Sequence, residues 1–568
     1  MPSALDTALM SGVARITGAG GPMPLAQVES RGVTVPMIAS ASTNLPDYFA
    51  HFCAQHGDLE FLVAGGERLS FAQVYRAARE VAGALVEGHG IAVGDRVGIA
   101  ARNAPAWIVA YMGVLMAGGV ATLLNGWWEP AELGQAIDDV GCRLVIADLQ
   151  RAARLAEVEQ RAKVIAIDVA RPIAEAMAPL LAAGGNAQTP LPALDGDSLA
   201  TILFTSGSTG QSKGALSDHR AVVQGTFNYL VQTLIMLGIA TDMGQAPTGQ
   251  PATLLNVPLF HVTAEVPVFL QSFAMARKLV LMPRWDAEDA MRLIEAERIT
   301  YFVGVPLMSF ELLTHPNRDR YDLSSCADYA AGGAPRPVEH VRRLDAEMGG
   351  GKPLIGYGLT ETNGVGCGNF RDNYLAKPNS TGMPSLPLVD LAIMDNAGRP
   401  VAQGERGEVC IRSIANFREY WGRPGDTAAA YTADGYFRTG DIGVLDADNY
   451  LFIVDRKKDI IIRGGENISC QEVEAALYED PRVAEAAVFG LADERLGEVP
   501  GAVVHAADGA VIDQEALRDF LSGRIAAFKI PARIWVSEAP LPRLGTEKID
   551  KVAIRERYRA LAENEAAV

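Results

Sequence analysis

Phe204-Thr205-Ser206-Gly207-Ser208-Thr209-Gly210-Gln211-Ser212-Lys213-Gly214 sets glycines and hydroxyl residues ahead of a lysine, directly after the apolar run Leu199 to Phe204. Glycines let the backbone turn its N–H groups toward a ligand, hydroxyls donate further hydrogen bonds, and the lysine adds a mobile positive charge. Together they form a cradle for a polyanion, and the ligand they suit is a phosphate chain. The spacing differs from a Walker loop: Lys213 follows Gly210 by three positions and no Ser or Thr comes after it. A Gly/Ser-rich surface loop is the plain alternative. The strand feeding the loop and the terminal Lys-Gly favour the cradle.

Other side chains have matching chemistry. Glu361 follows a Gly-containing turn and offers a hard carboxylate suited to Mg²⁺ beside phosphates, or equally to a helix start. Tyr357 presents a flat face for an adenine ring, although buried tyrosines are commonly core. Asp441, after Thr439-Gly440, can accept two ribose hydroxyls or simply serve a turn. Arg456 could hold a ribose or a phosphate, or lie solvated at a strand end. Gly464 and Gly465 allow close approach of a slender ligand or a hairpin turn. His261 stands alone in an apolar run, where a satisfied core histidine is the ordinary outcome. Lys548 lies in an apolar, turn-rich stretch and by its type alone would be a surface lysine.

The elements that must position these groups follow from length and pattern. A chain of 568 residues exceeds a single hydrophobic core and should divide into at least two domains. Hydrophobic content of 49% and charged content of 21% are those of an ordinary globular protein. The net charge of −18 argues against nucleic acid as a partner and requires any anionic substrate to be met by locally gathered cations. Six scattered cysteines form no C-x-x-C pair, which suits a reducing cytoplasm. Residues 1 to about 45, rich in Gly, Pro and Ala, read as an irregular arm. Helices then alternate with short apolar strands such as Arg96 to Ala100, Leu144 to Ala147 and Val164 to Ile167, the pattern of a layered α/β domain with parallel sheet. Trp107 to Leu124 is uncharged and long enough to be weighed as a membrane span. Its three glycines and lack of flanking basic anchors point instead to a buried helix running into a buried strand, with no spanning helix expected. His219 to Leu237 should be a long apolar helix. From about Gly382 short strands and turns suggest a β-rich subdomain. The charged run Asp455-Arg456-Lys457-Lys458-Asp459 marks the expected boundary between domains at 1–455 and 456–568. The smaller domain should be α+β, with the helix Gln471 to Tyr478, the strand Ala486 to Phe489 and the helix Gln514 to Ala527.

From about Asn44 to Tyr558 the chain resembles the adenylate-forming enzymes, which include acyl-CoA synthetases, firefly luciferases and peptide-synthetase adenylation domains. The opening loop is similar to that family's phosphate loop, and Gly332-Gly333-Ala334-Pro335 to the segment beside the base. Tyr357-Gly358-Leu359-Thr360-Glu361 resembles its nucleotide motif, and Phe437-Arg438-Thr439-Gly440-Asp441 its ribose motif. Asp455 to Asp459 resembles the hinge, with Lys458 at the hinge position. Leu541 to Lys548 resembles the stretch carrying the catalytic lysine. Six motifs occur in the family's order.

The resemblance implies an ATP-dependent acyl-CoA ligase using Mg²⁺ and coenzyme A. A hydrophobic carboxylic acid, a medium- or long-chain fatty acid in the first instance and an aryl or polycyclic acid in the second, would be activated as acyl-AMP and then passed to the coenzyme A thiol. Loading of a separate carrier protein, or a non-catalytic nucleotide-binding protein, are the other readings. Lys548, Glu361, Thr360 and His261 would be catalytic, with Glu361 holding the metal. Thr205, Ser206, Gly207, Ser208, Thr209, Gly210 and Lys213 would grip the β- and γ-phosphates as a departing pyrophosphate. Gly333, Ala334, Pro335, Tyr357, Gly358, Asp441 and Arg456 would hold the nucleotide. His261, Val262, Val305, Met308, Gly332, Gly356 and Val365 would line the acyl pocket, with His261 as its gate. In this family the small C-terminal domain rotates between half-reactions, withdrawing Lys548 and bringing in Gly464 and Gly465. The protein is expected to be a monomer or homodimer. Ser212 stands where proline is usual, Ile355 where a polar residue is often found, and Glu547 where a glycine usually precedes the lysine.

Overall fold

The structure, a computed structural model, describes residues 3–205, 212–244, 248–457, 459–463, 466–544 and 547–566. Among these residues, two large sheets enclose the main core. One runs Glu419–Tyr420, Lys213–Asp218, Leu199–Thr205, Val120–Leu123, Arg96–Ala100, Leu144–Asp148, Lys163–Ile167 from edge to edge. Its neighbours from Leu199–Thr205 to Lys163–Ile167 pair in parallel, whereas Lys213–Asp218 returns antiparallel to Leu199–Thr205. The other large sheet includes Lys352–Gly358, Asp328–Gly332, Tyr301–Gly304 and Ala252–Leu255, again parallel in that part. The β-rich subdomain is a four-stranded antiparallel sheet of Asp390–Met394, Gly407–Arg412, Phe437–Leu445 and Leu451–Arg456. The C-terminal part builds a separate sheet on the long hairpin Val483–Asp493 and Gly497–Ala506, with the helices Cys470–Tyr478 and Lys551–Ala566 against it. This is the layered α/β body with a small α+β unit that the alternation of elements predicts.

Local sequence explains the packing. The helix Phe71–Glu87 begins in a capping box, with Ser70 Oγ accepting from the Gln73 N–H and Gln73 Oε1 from the Ser70 N–H. Val74, Ala78, Val81 and Leu85 recur on its buried face, against the wholly buried helix Pro105–Met116. Gly113 makes that crossing possible, since a Cβ there would lie 2.4 Å from a methyl of Val81. The uncharged stretch from Trp107 is therefore this core helix followed by the buried strand Val120–Leu123. Among the described residues, the helix long and apolar enough to cross a membrane is another, His219–Asp242, and 56% of its apolar window is buried inside the protein.

Three expectations need correction. The N-terminal segment is not an irregular arm. It forms the helix Ala4–Thr17, opened by a Ser3–Asp6 capping box, and the hairpin Leu25–Ser30/Val33–Ile38. Gly12 lets that helix seat on the long one, because a Cβ would meet Ile235 at 2.6 Å. The long helix runs on through Gly238 to Asp242, and the helix expected from Gln514 to Ala527 stops at Leu521, ahead of Gly523 at φ +86°.

Candidate active site

Strand ends bring the predicted groups together. Leu199–Thr205 delivers Thr205 to the loop, and Lys213, paired in register with Thr205, begins the return. Ser206, Gly207, Ser208, Thr209 and Gly210 lie outside the described residues, as do Lys458, Gly464 and Gly465. Lys213 Nζ sits 3.1 Å from Asp426 Oδ2 and 5.0 Å above the centre of the Tyr420 ring. The short helical turn Thr360–Thr362 follows the strand Lys352–Gly358 and turns Glu361 inward, where it is 8% exposed. Gly358 is needed there: a Cβ would lie 1.9 Å from the Gly364 carbonyl oxygen.

Glu361 is held from two sides. The Tyr420 hydroxyl donates to Oε1 at 2.7 Å, and the Phe417 N–H donates to the Glu361 carbonyl at 2.7 Å. Burial raises its pKa against the opposing pull of the tyrosine bond. Among the described residues no cationic side chain stands within ion-pair distance of it. A buried hard carboxylate whose side-chain partner among the described residues is a phenol fits Mg²⁺. Among the described residues no cluster of three or more His, Cys, Asp or Glu side chains forms a metal cage, so phosphate oxygens and water would complete the coordination.

Beside it the Tyr357 hydroxyl donates to Asp441 Oδ2 at 2.7 Å, and Arg456 Nε lies 3.4 Å from Asp441 Oδ1. Asp441 and Arg456 are register partners in adjacent antiparallel strands, so the ladder itself sets the pair. The Tyr357 ring packs against the apolar clusters around Val365, Val389 and Cys367. In this arrangement Tyr357 and Arg456 each hold one oxygen of the Asp441 carboxylate.

Lys548 arrives from the C-terminal part. It lies directly on Gly333, where φ is +76° and a Cβ would sit 2.6 Å from the lysine Cε and Nζ. Val257, Pro258, His261, Thr263, Gly304, Val305, Gly332 and Lys548 line one small cavity. Burial, and then the charge of Arg456, lower the Lys548 ammonium to about 8. His261 caps the short helix Val262–Ala264, its Nδ1 accepting from the Thr263 N–H at 3.3 Å. Burial and the nearby Lys548 charge push its pKa down to about 3, so the ring is neutral with its proton on Nε2. Of the expected pocket residues, His261, Val305 and Gly332 line this cavity. Met308 packs behind Gly304, where a Cβ would lie 2.9 Å from the Met308 sulfur. Val262 is buried beside His261, Gly356 is exposed opposite Gly332 in register, and Ala334 and Pro335 continue the loop after Gly333. Val365 is fully buried in the cluster with Val389, Ile411 and Ala415 and is not among the residues that line this cavity.

The family model described as "AMP-binding enzyme" matches residues 49–421, and the one described as "AMP-binding enzyme C-terminal domain" matches residues 472–548. The chain belongs to the AMP-binding enzyme family. A feruloyl-CoA synthase of Amycolatopsis is 34% identical over 87% of this chain and 95% of its own. A long-chain-fatty-acid–CoA ligase of Bacillus subtilis is 31% identical over 85% and 89%. The crystal structure of ATP-bound MatB from Rhodopseudomonas palustris superposes with a TM-score of 0.80 at 27% identity, covering 91% of this chain and 99% of that one. This AMP-binding enzyme is accordingly an AMP-forming acid–thiol ligase of the adenylate-forming group, working with ATP, Mg²⁺ and coenzyme A.

One feature of this AMP-binding enzyme escaped motif reading. Tyr420 and Asp426 flank Glu361 and Lys213, and the only sequence signal was the aromatic run Phe417, Tyr420, Trp421. Glu547 occupies a left-handed conformation, φ +62°, that favours glycine. Its carbonyl accepts from Arg543 Nη1 at 2.9 Å, and the Leu544 N–H donates to the Lys548 carbonyl at 2.8 Å. These two bonds tie Glu547 and Lys548 back to Arg543 and Leu544.

Proposed function

We propose that this enzyme activates a hydrophobic carboxylic acid on ATP and transfers the acyl group to the thiol of coenzyme A. The observation that carries the reading is the placement of Lys548 over Gly333 beside an apolar cavity that His261 also lines. The acid's carboxylate would lie between Lys548 and the α-phosphate and attack phosphorus, while the bond to the β-phosphate breaks and pyrophosphate leaves. Lys548 offsets the repulsion between the two anions, and Lys213 with the loop donors receives the pyrophosphate. Asp441, oriented by Tyr357 and Arg456, accepts from the ribose hydroxyls. Glu361, steadied by Tyr420, would hold Mg²⁺, which supplies charge neutralisation on the phosphates. In the second half the thiol attacks the acyl carbonyl and the bond to AMP breaks. A thiol with an ordinary pKa of about 8.5 needs orientation more than a strong base.

A medium- or long-chain fatty acid is the first choice of substrate, in line with the apolar cavity wall. An aromatic acid is the second, favoured by the compact cavity and the likeness to a feruloyl-CoA synthase. We place the reaction in a reducing cytoplasm, which suits six free, buried cysteines. The test is thioester formation from a panel of fatty and aryl acids with ATP, comparing coenzyme A with a carrier protein. Thioester on coenzyme A is expected. Its absence with every acid, alongside acylation of the carrier, would assign the enzyme to carrier loading instead.

A further inference from the structure

Residues 1–48 precede the segment that matches the family model, yet their hairpin reaches the wall behind Glu361. Its turn is Arg31-Gly32, both left-handed, with φ of 54° and 75°. Arg31 Nη2 donates to the Phe417 carbonyl at 3.1 Å and also to the Arg418 carbonyl. Its guanidinium carbon lies 3.6 Å from the centre of the Tyr431 ring, and the Tyr431 hydroxyl donates to the same Phe417 carbonyl at 2.8 Å. The Phe417 N–H in turn holds the Glu361 carbonyl, and Tyr420, three residues on, holds the Glu361 carboxylate. The other end of the hairpin is pinned by buried Gln224, whose Oε1 accepts from the Ile38 N–H at 2.8 Å and whose Nε2 donates to the Ile38 carbonyl at 3.0 Å. An exposed arginine is ordinarily left to solvent. This one is engaged by two carbonyls and an aromatic face, in a turn position that Asn or Gly would fill with less strain.

We infer that Arg31 is a positioning residue for the adenylation half-reaction, holding the 417–420 segment so that Glu361 and Tyr420 keep their geometry toward Mg²⁺ and the phosphates. The inference rests on the proposed role of Glu361. Residues ahead of the matched domain thus complete the site wall from outside.

The variant Arg31→Asn separates this from a structural role, because Asn-Gly suits the turn better while removing the guanidinium. The full chain would be compared with its wild type in four measurements: thermal unfolding, backbone hydrogen exchange of residues 414–421 without ligands, Mg²⁺ half-saturation of ATP–pyrophosphate exchange, and coenzyme A transfer from supplied acyl-adenylate. Expected are an undiminished melting temperature, faster exchange of the Phe417 amide, a Mg²⁺ half-saturation raised by up to about tenfold, and unchanged transfer. Arg31→Lys should recover part of the Mg²⁺ response. An unchanged Mg²⁺ requirement overturns the inference whether or not the amide moves, and so does an equal fall in both half-reactions. If the wild type shows no Mg²⁺-dependent exchange with any acid, the proposed function fails instead. Hydrogen exchange then decides alone: a faster Phe417 amide sustains the hold of Arg31 on the segment, and an unchanged one removes it.

Discussion

Lys548 has an ordinary ammonium value near 10.5 that the site lowers to about 8, so its charge becomes pH-sensitive in the working range. The protonated form is the useful one, present below that value and lost as pH rises through it. Adenylation should therefore hold up to about pH 8 and fall above it, read as pyrophosphate release at saturating acid and ATP. Lys548→Arg keeps its charge throughout and should flatten that limb at a lower rate; a limb that survives in this variant belongs to another group. His261 stays neutral down to about pH 3 and adds nothing to the profile. Next to the lysine, Glu547→Gly removes a left-handed side chain and should stabilise the C-terminal part by up to about 1 kcal/mol, checked by denaturant unfolding. The identity of these groups was legible in motifs. Their titration was not, because burial and the Arg456 charge arrive from elements distant in the chain.

At the scale of elements, the turn after Lys352–Gly358 is the part whose geometry matters most. Gly358→Ala would drive a methyl into the Gly364 carbonyl, and should cost about 1–3 kcal/mol of stability and raise the KM for ATP more than that for the acid. Equal shifts in both KM values would show that the distortion spreads beyond the Glu361 turn. The strands and core helices were readable because their apolar runs and caps are local signals, as at Ser70–Gln73 and Leu144–Asp148. The N-terminal helix and hairpin were not. Their Gly, Pro and Ala content hid the Ser3–Asp6 cap, and the strands are half-exposed with few large apolar side chains. They are held by partners far away in sequence, such as Ile235, Gln224 and Phe417.

For the whole molecule, the two halves of the reaction make opposite demands on one site. Lys548 lines the cavity against Gly333, a place that suits adenylation and that an approaching thiol would have to share. Movement of the C-terminal part about the charged run 455–459 would relieve that conflict. Lys548→Ala should then slow adenylation on the order of 100-fold or more while leaving transfer from supplied acyl-adenylate nearly intact. Equal loss in both would count against the rotation.

The sequence by itself determined the chemical inventory: the phosphate-loop composition, Glu361, Asp441 and Arg456 as separate candidates, and the α/β alternation that carries them. Each depends on residue type and near spacing, which the chain states directly. Only the tertiary structure decided that Lys548 lies on Gly333 beside His261, that Tyr420 and Asp426 attend Glu361 and Lys213, that Val365 belongs to the core, and that an N-terminal arginine buttresses the wall. Desolvation, charge proximity and close backbone packing are properties of groups brought together by folding, and no local pattern records them.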